Sequence, residues 1–164
     1  MIRTQPEKAK PTRIRDLVVC VDDEPSILGA LHCLLRSEPY ELLTTDRPQQ
    51  ALEWIQTRTV SLVISDYRMP LMNGIDLLMT VQQESPTTER IMLTGYPGER
   101  VLLRNMGQGL LWLVSKPWKN ENLKRMIRSR LRERRRLELE MLEIGERERE
   151  RFAQDLHDNL GQDL

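Results

Sequence analysis

Five short apolar runs recur along the chain, at residues 17–21, 40–44, 61–65, 90–94 and 110–114, and helical periodicity fills the gaps between them. Runs of strand length that are apolar throughout are buried on both faces, as in a parallel sheet covered by helices. Behind Pro25, the residues Ile27, Leu28, Leu31, Leu34 and Leu35 recur at helical spacing, and behind Pro48 so do Ala51, Leu52 and Ile55. The turn signal Asn73-Gly74 precedes Ile75, Leu77, Leu78 and Val81, and Ser85-Pro86 ends that stripe. A fourth helix is expected over residues 99–106, after a Gly95-Tyr96-Pro97-Gly98 loop, and a fifth from Asn120. Strand and helix therefore alternate five times. The alternation predicts an α/β fold: a doubly wound five-stranded parallel sheet over residues 16–127.

The flanking segments differ from this body. Residues 1–15 carry Arg3, Lys8, Lys10, Arg13, Arg15 and two prolines, without the apolar core of a signal peptide, and read as a disordered basic leader. Residues 128–164 contain no proline, and residues 128–136 alone hold six arginines and one glutamate. Leu137, Met141 and Ile144 follow coiled-coil spacing, as do Ala153, Leu156 and Leu160, but the two sets are out of step. A polar helix of this length needs a partner for its stripe, so a long C-terminal helix forming a parallel homodimer is expected. Lys plus Arg and Asp plus Glu both number 25, which disfavours a general nucleic-acid binder. No apolar run approaches the roughly 18 residues of a membrane span. Cys20 and Cys33, both in apolar surroundings, do not form a disulfide framework. A cytoplasmic protein with no membrane partner is the expectation.

Polar residues stand where the runs end. Asp22 and Asp23 follow the first run, Asp66 the third, Thr94 closes the fourth, and Lys116 follows the fifth. In an open parallel sheet, strand ends beside a central strand converge at the switch point. Taken singly, each residue has an ordinary reading. Asp22 and Asp23 suit a helix cap, Asp66 an Asx-turn, and Lys116 a solvated surface. As an ordered set at strand ends they are far more specific. Three carboxylates in one place repel unless they protonate or a cation joins them. Mg²⁺, a hard ion that takes carboxylate and phosphate oxygens, suits them. One carboxylate can then attack a phosphoryl group, with threonine and lysine contacting the phosphoryl oxygens.

These residues resemble the response-regulator receiver domain over the first roughly 120 residues. Val21-Asp22-Asp23-Glu24-Pro25 is similar to its acidic pair and Ser65-Asp66-Tyr67-Arg68-Met69-Pro70 to its phosphoacceptor loop. Leu93-Thr94-Gly95 resembles its switch threonine and Ser115-Lys116-Pro117 its lysine-proline element, typically a cis peptide. The resemblance implies a flavodoxin-like receiver with Asp66 as phosphoacceptor. It implies a metal site of Asp23, Asp66 and the Arg68 backbone carbonyl, with Asp22 acting through water. The implied partner is a histidine kinase or histidine phosphotransfer protein. One position departs from the pattern: Leu113, beside Trp112, stands where receivers often carry an aromatic switch residue.

The tail carries a second resemblance. The segment 148–162 is similar to the H-box of a histidine-kinase family with the pattern His-Asp-x-x-x-Gln, matched by His157, Asp158 and Gln162. The resemblance implies phosphoryl acceptance at His157, base assistance by Asp158 and a dephosphorylation role for Gln162. For an isolated histidine on a charged helix, a plain surface residue is the ordinary reading. No Gly-rich nucleotide loop and no second dimerisation helix follow before Leu164. The chain is therefore expected not to phosphorylate itself from ATP, and its parent is expected to be a histidine kinase. Three alternatives stand beside this. A stand-alone regulator would use the helix on a protein partner. An aspartate-nucleophile phosphatase would need an acid two residues after Asp66, where Arg68 stands. A nucleic-acid contact would use residues 128–136, although glutamates follow directly.

Overall fold

The computed structural model describes residues 15–107, 109 and 111–160, apart from the side chains of residues 101 and 106. Residues 1–14 of the proposed leader, Gln162 and the start of the predicted fifth strand at Leu110 fall outside the described residues. The strands are β1 (Leu17–Val21), β2 (Glu41–Thr45), β3 (Leu62–Asp66), β4 (Glu89–Thr94) and β5 (Trp112–Ser115). The helices are α1 (Pro25–Leu35), α2 (Pro48–Thr57), α3 (Gly74–Glu84), α4 (Arg100–Gly107) and α5 (Asn120–Leu160). All strand pairs are parallel, in the order β2-β1-β3-β4-β5. The chain reverses direction across the sheet between β1 and β3, so the switch point falls at the ends of those two strands.

Alternation along β1 builds two cores. Val19 and Val21 join Ala51, Leu77, Leu78, Val81 and Leu102, under α2, α3 and α4. Val18 and Cys20 join Leu31, Leu35, Leu123 and Ile127, under α1 and α5. Both faces of β1 and β3 are buried, which is why their sequences read as unbroken apolar runs. Cys20 is sealed in the second core, and burial first, then the Asp22 charge, pushes its thiol up to about 12. Cys33 does not share that environment: it lies on the exposed side of α1, so the expectation of apolar surroundings for both cysteines is corrected. Leu31 and Leu35 are buried, and between them Cys33 is carried round to solvent.

Two local features were read differently from sequence. Asn73-Gly74 is not a free turn but a helix start. Asn73 is the N-cap of α3, its Oδ1 accepting from the Asp76 N–H at 2.9 Å, and Gly74 is the first helical residue. Leu111, expected in the fifth strand, lies ahead of β5, which begins at Trp112.

α5 has 41 residues and no break at residue 127. It runs back antiparallel to the strands and stays on the body as far as Arg134. Leu123, Ile127 and Leu131 are buried beneath it, and Arg134 is buried as well. Ions clamp it at two heights. Glu38 accepts from Arg128 Nε at 3.0 Å and Nη2 at 2.8 Å, and Lys124 lies 3.4 Å from the same carboxylate. About two turns further along the helix, Asp16, just before β1, pairs with Arg134 and Arg135, and Arg134 Nε donates to the Thr87 carbonyl at 3.2 Å. Beyond this point Leu139, Met141, Leu142, Ile144, Phe152, Leu156 and Leu160 are exposed. No helix among the described residues is long and apolar enough to cross a membrane.

Candidate functional site: an acidic pocket at the sheet switch point

β1 and β3 are neighbours, with Val21 opposite Ser65, so the residues that leave them, Asp22 and Asp66, are delivered side by side. β4 lies beyond β3 and ends at Thr94, opposite Ser115 of β5. The Lys116 N–H donates to the Thr94 carbonyl at 2.7 Å, which turns the lysine back over the strand ends. The Lys116-Pro117 peptide is cis, as the resemblance implied.

Lys116 Nζ donates to Asp22 Oδ2 at 2.8 Å and lies 2.7 Å from Asp66 Oδ1. The Glu24 N–H donates to the other Asp22 oxygen at 2.9 Å, a local turn contact; the N-cap position of α1 is Glu24, not Asp22 or Asp23, and it makes no side-chain cap bond. Burial pushes the Asp22 carboxyl up, against the pull of Lys116 and the Glu24 N–H, and the Asp66 charge adds to the rise. For Lys116, burial opposes the charge, yet the two carboxylates outweigh it and hold the ammonium above the ordinary lysine value. Asp22, Asp23 and Asp66 each offer an oxygen within 4.8 Å of the others. Three hard oxygen donors converging this closely, with one ammonium among them, fit a divalent cation such as Mg²⁺. Thr94 is buried, and its Oγ1 accepts from the Tyr96 N–H at 2.9 Å.

The five pocket residues expected from sequence are thus brought together, and Arg68 follows in the loop after β3. His157 and Asp158 are not part of this pocket. Both lie on the exposed far end of α5. With about 1.5 Å of rise per residue, His157 lies about 35 Å beyond Arg134. Arg134 itself sits at the end of the sheet opposite Asp66. Direct phosphoryl exchange between Asp66 and the histidine of its own chain is excluded in this arrangement. Leu113 packs against the α2–α4 core, and Trp112 turns the other way, its ring 4.1 Å from the Arg130 guanidinium of α5. Trp112 therefore does not stand in for the missing aromatic.

Sequence reasoning missed a cluster beside the pocket. Tyr67 Oη donates to Glu99 Oε2 at 2.5 Å, Arg68 Nη2 donates to Glu99 Oε1 at 2.7 Å, and the Arg68 guanidinium stacks 4.1 Å from the Tyr96 ring. The Tyr67 hydrogen bond first, then Arg68, holds the Glu99 carboxyl below its ordinary value, and the same hydrogen bond raises the Tyr67 phenol. Only the spacing of two aromatics and two charges across two loops could have hinted at it. Leu71 was missed too: it holds φ at 70° at the tip of the β3–α3 loop, with its side chain fully in solvent.

The geometry agrees with comparison to known proteins. Residues 18–128 match the family model of the response regulator receiver domain, and the chain belongs to that family. It is 31% identical over 133 residues to the DNA-binding response regulator MtrA of Mycolicibacterium smegmatis, covering 81% of this chain and 58% of that protein. It is 32% identical over 100 residues to the transcriptional regulatory protein GlrR of Escherichia coli, covering 61% of this chain and 22% of that one. The chain thus spans less than two thirds of the length of these relatives. Among solved structures, the signal receiver domain of an HD domain-containing protein from Pseudomonas fluorescens superposes with a TM-score of 0.73 at 32% identity, over 80% of this chain and 98% of that one. A CheY-like receiver domain protein from Methanospirillum hungatei gives a TM-score of 0.69 at 25% identity, over 74% of this chain and 98% of that one.

Proposed function

We propose that the chain is a phosphorelay receiver that takes a phosphoryl group on Asp66 and reports it through α5 to a helical module carrying His157. The observation that carries the reading is Lys116 Nζ lying within 2.8 Å of both Asp22 and Asp66, beside a third convergent carboxylate. An Asp66 carboxylate oxygen attacks phosphorus. The bond from phosphorus to the donor's imidazole nitrogen breaks as the new P–O bond forms, and the departing imidazole recovers a proton from solvent. Lys116 meets the negative charge of the phosphoryl oxygens, and the Thr94 hydroxyl turns to donate to one of them. Mg²⁺ would be held by Asp23, Asp66 and the Arg68 carbonyl, with Asp22 through water, and when bound it neutralises charge on the reacting oxygens. Because His157 stands far from Asp66 on the same chain, the donor is a histidine on another protein, a kinase or a phosphotransfer protein.

The exposed stripes of α5 support a second copy of the chain as the helix partner, in a parallel pair. His157 and Asp158 then lie on a paired helix, as in the dimerisation segment they resemble. A different output, in which α5 leads to a DNA-contacting module, draws on the printed role of MtrA. Arg128, Arg134, Arg135 and Arg136 are already paired with carboxylates, so the helix itself is a poor phosphate ladder.

Incubation with Mg²⁺ and radiolabelled acetyl phosphate tests the site. Label is expected on the wild type and absent from Asp66→Asn. Equal labelling of the two would remove Asp66 as acceptor. Sedimentation tests the pairing: Met141→Glu with Leu156→Glu is expected to give a monomer where the wild type is a dimer.

A further inference from the structure

We infer that the side chains of Tyr67, Arg68 and Glu99 form a latch that carries the state of Asp66 to α4, taking the place of the aromatic switch that Leu113 cannot provide. The inference rests on the reading of Asp66 as phosphoacceptor and adds the route by which its signal leaves.

The route is continuous on atoms already described. The Thr94 Oγ1, buried against the pocket, accepts from the Tyr96 N–H at 2.9 Å. The Tyr96 ring lies 4.1 Å from the Arg68 guanidinium, two residues along from Asp66. Arg68 and Tyr67 occupy both oxygens of Glu99, at 2.7 Å and 2.5 Å. The Glu99 carbonyl accepts from the Leu102 and Leu103 N–H groups at 3.0 Å and 3.1 Å, so Glu99 stands at the cap position directly before α4. One residue therefore holds the phosphoacceptor loop by its side chain and the first turn of α4 by its backbone.

A single exposed ion pair holds little, because water competes for both partners. This carboxylate is different in being used on both oxygens, with the guanidinium plane also stacked on a ring. A hydroxyl can accept and donate at once, so the exchange lies in rotation: the Thr94 side chain turns from the Tyr96 N–H to reach a phosphoryl group on Asp66. When it turns, the Tyr96 backbone loses an acceptor and its ring loses a fixed position under Arg68. The latch then has two arrangements that phosphorylation biases. Leu113, packed in the core, has no part in this exchange.

Amide hydrogen exchange over residues 95–103 in the full chain tests the latch, with and without Mg²⁺ and acetyl phosphate. In the wild type, phosphorylation is expected to raise exchange severalfold. In Glu99→Ala, exchange is expected to be raised severalfold already, with little further rise on phosphorylation and undiminished labelling of Asp66. Glu99→Gln, which keeps shape and loses charge, is expected to fall between. Tyr67→Phe gives the same comparison should Glu99→Ala lose its circular dichroism. Wild-type exchange in the unphosphorylated variants, or a full phosphorylation-induced rise in Glu99→Ala, overturns the latch. So does a phosphorylated wild type without a rise. A wild type that takes no label at all removes the Asp66 reading and the signalling role together, while raised exchange in unphosphorylated Glu99→Ala would still show that the contact holds the loop.

Discussion

Gly74 is the position where one added methyl group is expected to do most damage. Its backbone needs no left-handed conformation, so the requirement is space alone. A Cβ there would stand 2.0 Å from the Asp66 carbonyl oxygen, 2.9 Å from Met92 Sδ and 3.0 Å from the Asp66 carbonyl carbon. The Met92 sulfur can swing on its own bonds, but it is buried in the first core with little room to do so. The Asp66 carbonyl cannot swing. It belongs to β3 and accepts from Ser65 Oγ at 2.9 Å, while Gly74 is tethered by its own N–H to the Tyr67 carbonyl at 2.8 Å. Either α3 lifts from the sheet or the end of β3 bends. In a helix, alanine would return up to about 1 kcal/mol over glycine. Overpacking between two fixed backbones costs about 3 kcal/mol, the upper part of its usual range. The net expectation is a loss of about 2 kcal/mol, which lowers the urea midpoint by roughly 1–2 M at the usual slope for a domain of this size. Because the displaced carbonyl belongs to Asp66, the proposed phosphoacceptor, labelling of that residue should also slow under conditions where the variant remains folded. A Gly74→Ala midpoint equal to or above that of the wild type would refute the steric reasoning.

Three further outcomes follow from the way α5 is seated. Ile127→Ala opens a fully buried site under the helix and should cost about 3 kcal/mol in urea unfolding. Asp16→Asn should destabilise the chain and raise the amide exchange of residues 131–136, because it leaves Arg134 and Arg135 without their shared carboxylate at the point where the helix leaves the body. Arg128, with Lys124 adding to it, holds the Glu38 carboxyl below its ordinary 4.5. A depressed carboxylate contributes stability that is full above the unfolded value and is lost as pH falls through the folded one. Glu38→Gln should therefore lower stability at neutral pH and flatten its decline below about pH 4.5, measured by urea unfolding across pH.

Much of this architecture could be read from sequence because each signal was local. An apolar run of five residues followed by an acid announces a buried strand and a polar strand end without reference to anything distant. That is why the sequence alone brings Asp22, Asp66 and Lys116 together. Arg135 lies 119 residues from Asp16 and Arg128 lies 90 from Glu38, and neither spacing leaves a periodic trace. The same holds for Glu99, whose use by Tyr67 depends on how two loops face each other across the strand ends. Gly74 shows a subtler failure. Asn73-Gly74 carries a strong turn signal, but here the asparagine caps a helix and the glycine clears a carbonyl, and composition does not distinguish the two uses. The extent of α5 was obscured for a related reason. The arginine run at residues 128–136 reads as a solvated face, yet one of its members is buried and bonded to the body.

The unbroken course of α5 has a mechanical consequence. A flexible linker would average out any change in the receiver within a few residues, whereas a helix rigid from Asn120 to Leu160 works as a lever with its fulcrum at the Asp16 clamp. With an arm of about 35 Å from Arg134 to His157, a tilt of about 5° at the fulcrum moves the histidine by about 3 Å, roughly the length of one hydrogen bond. A change too small to disturb the packing under Ile127 would be amplified enough to bring an imidazole into or out of reach of a partner.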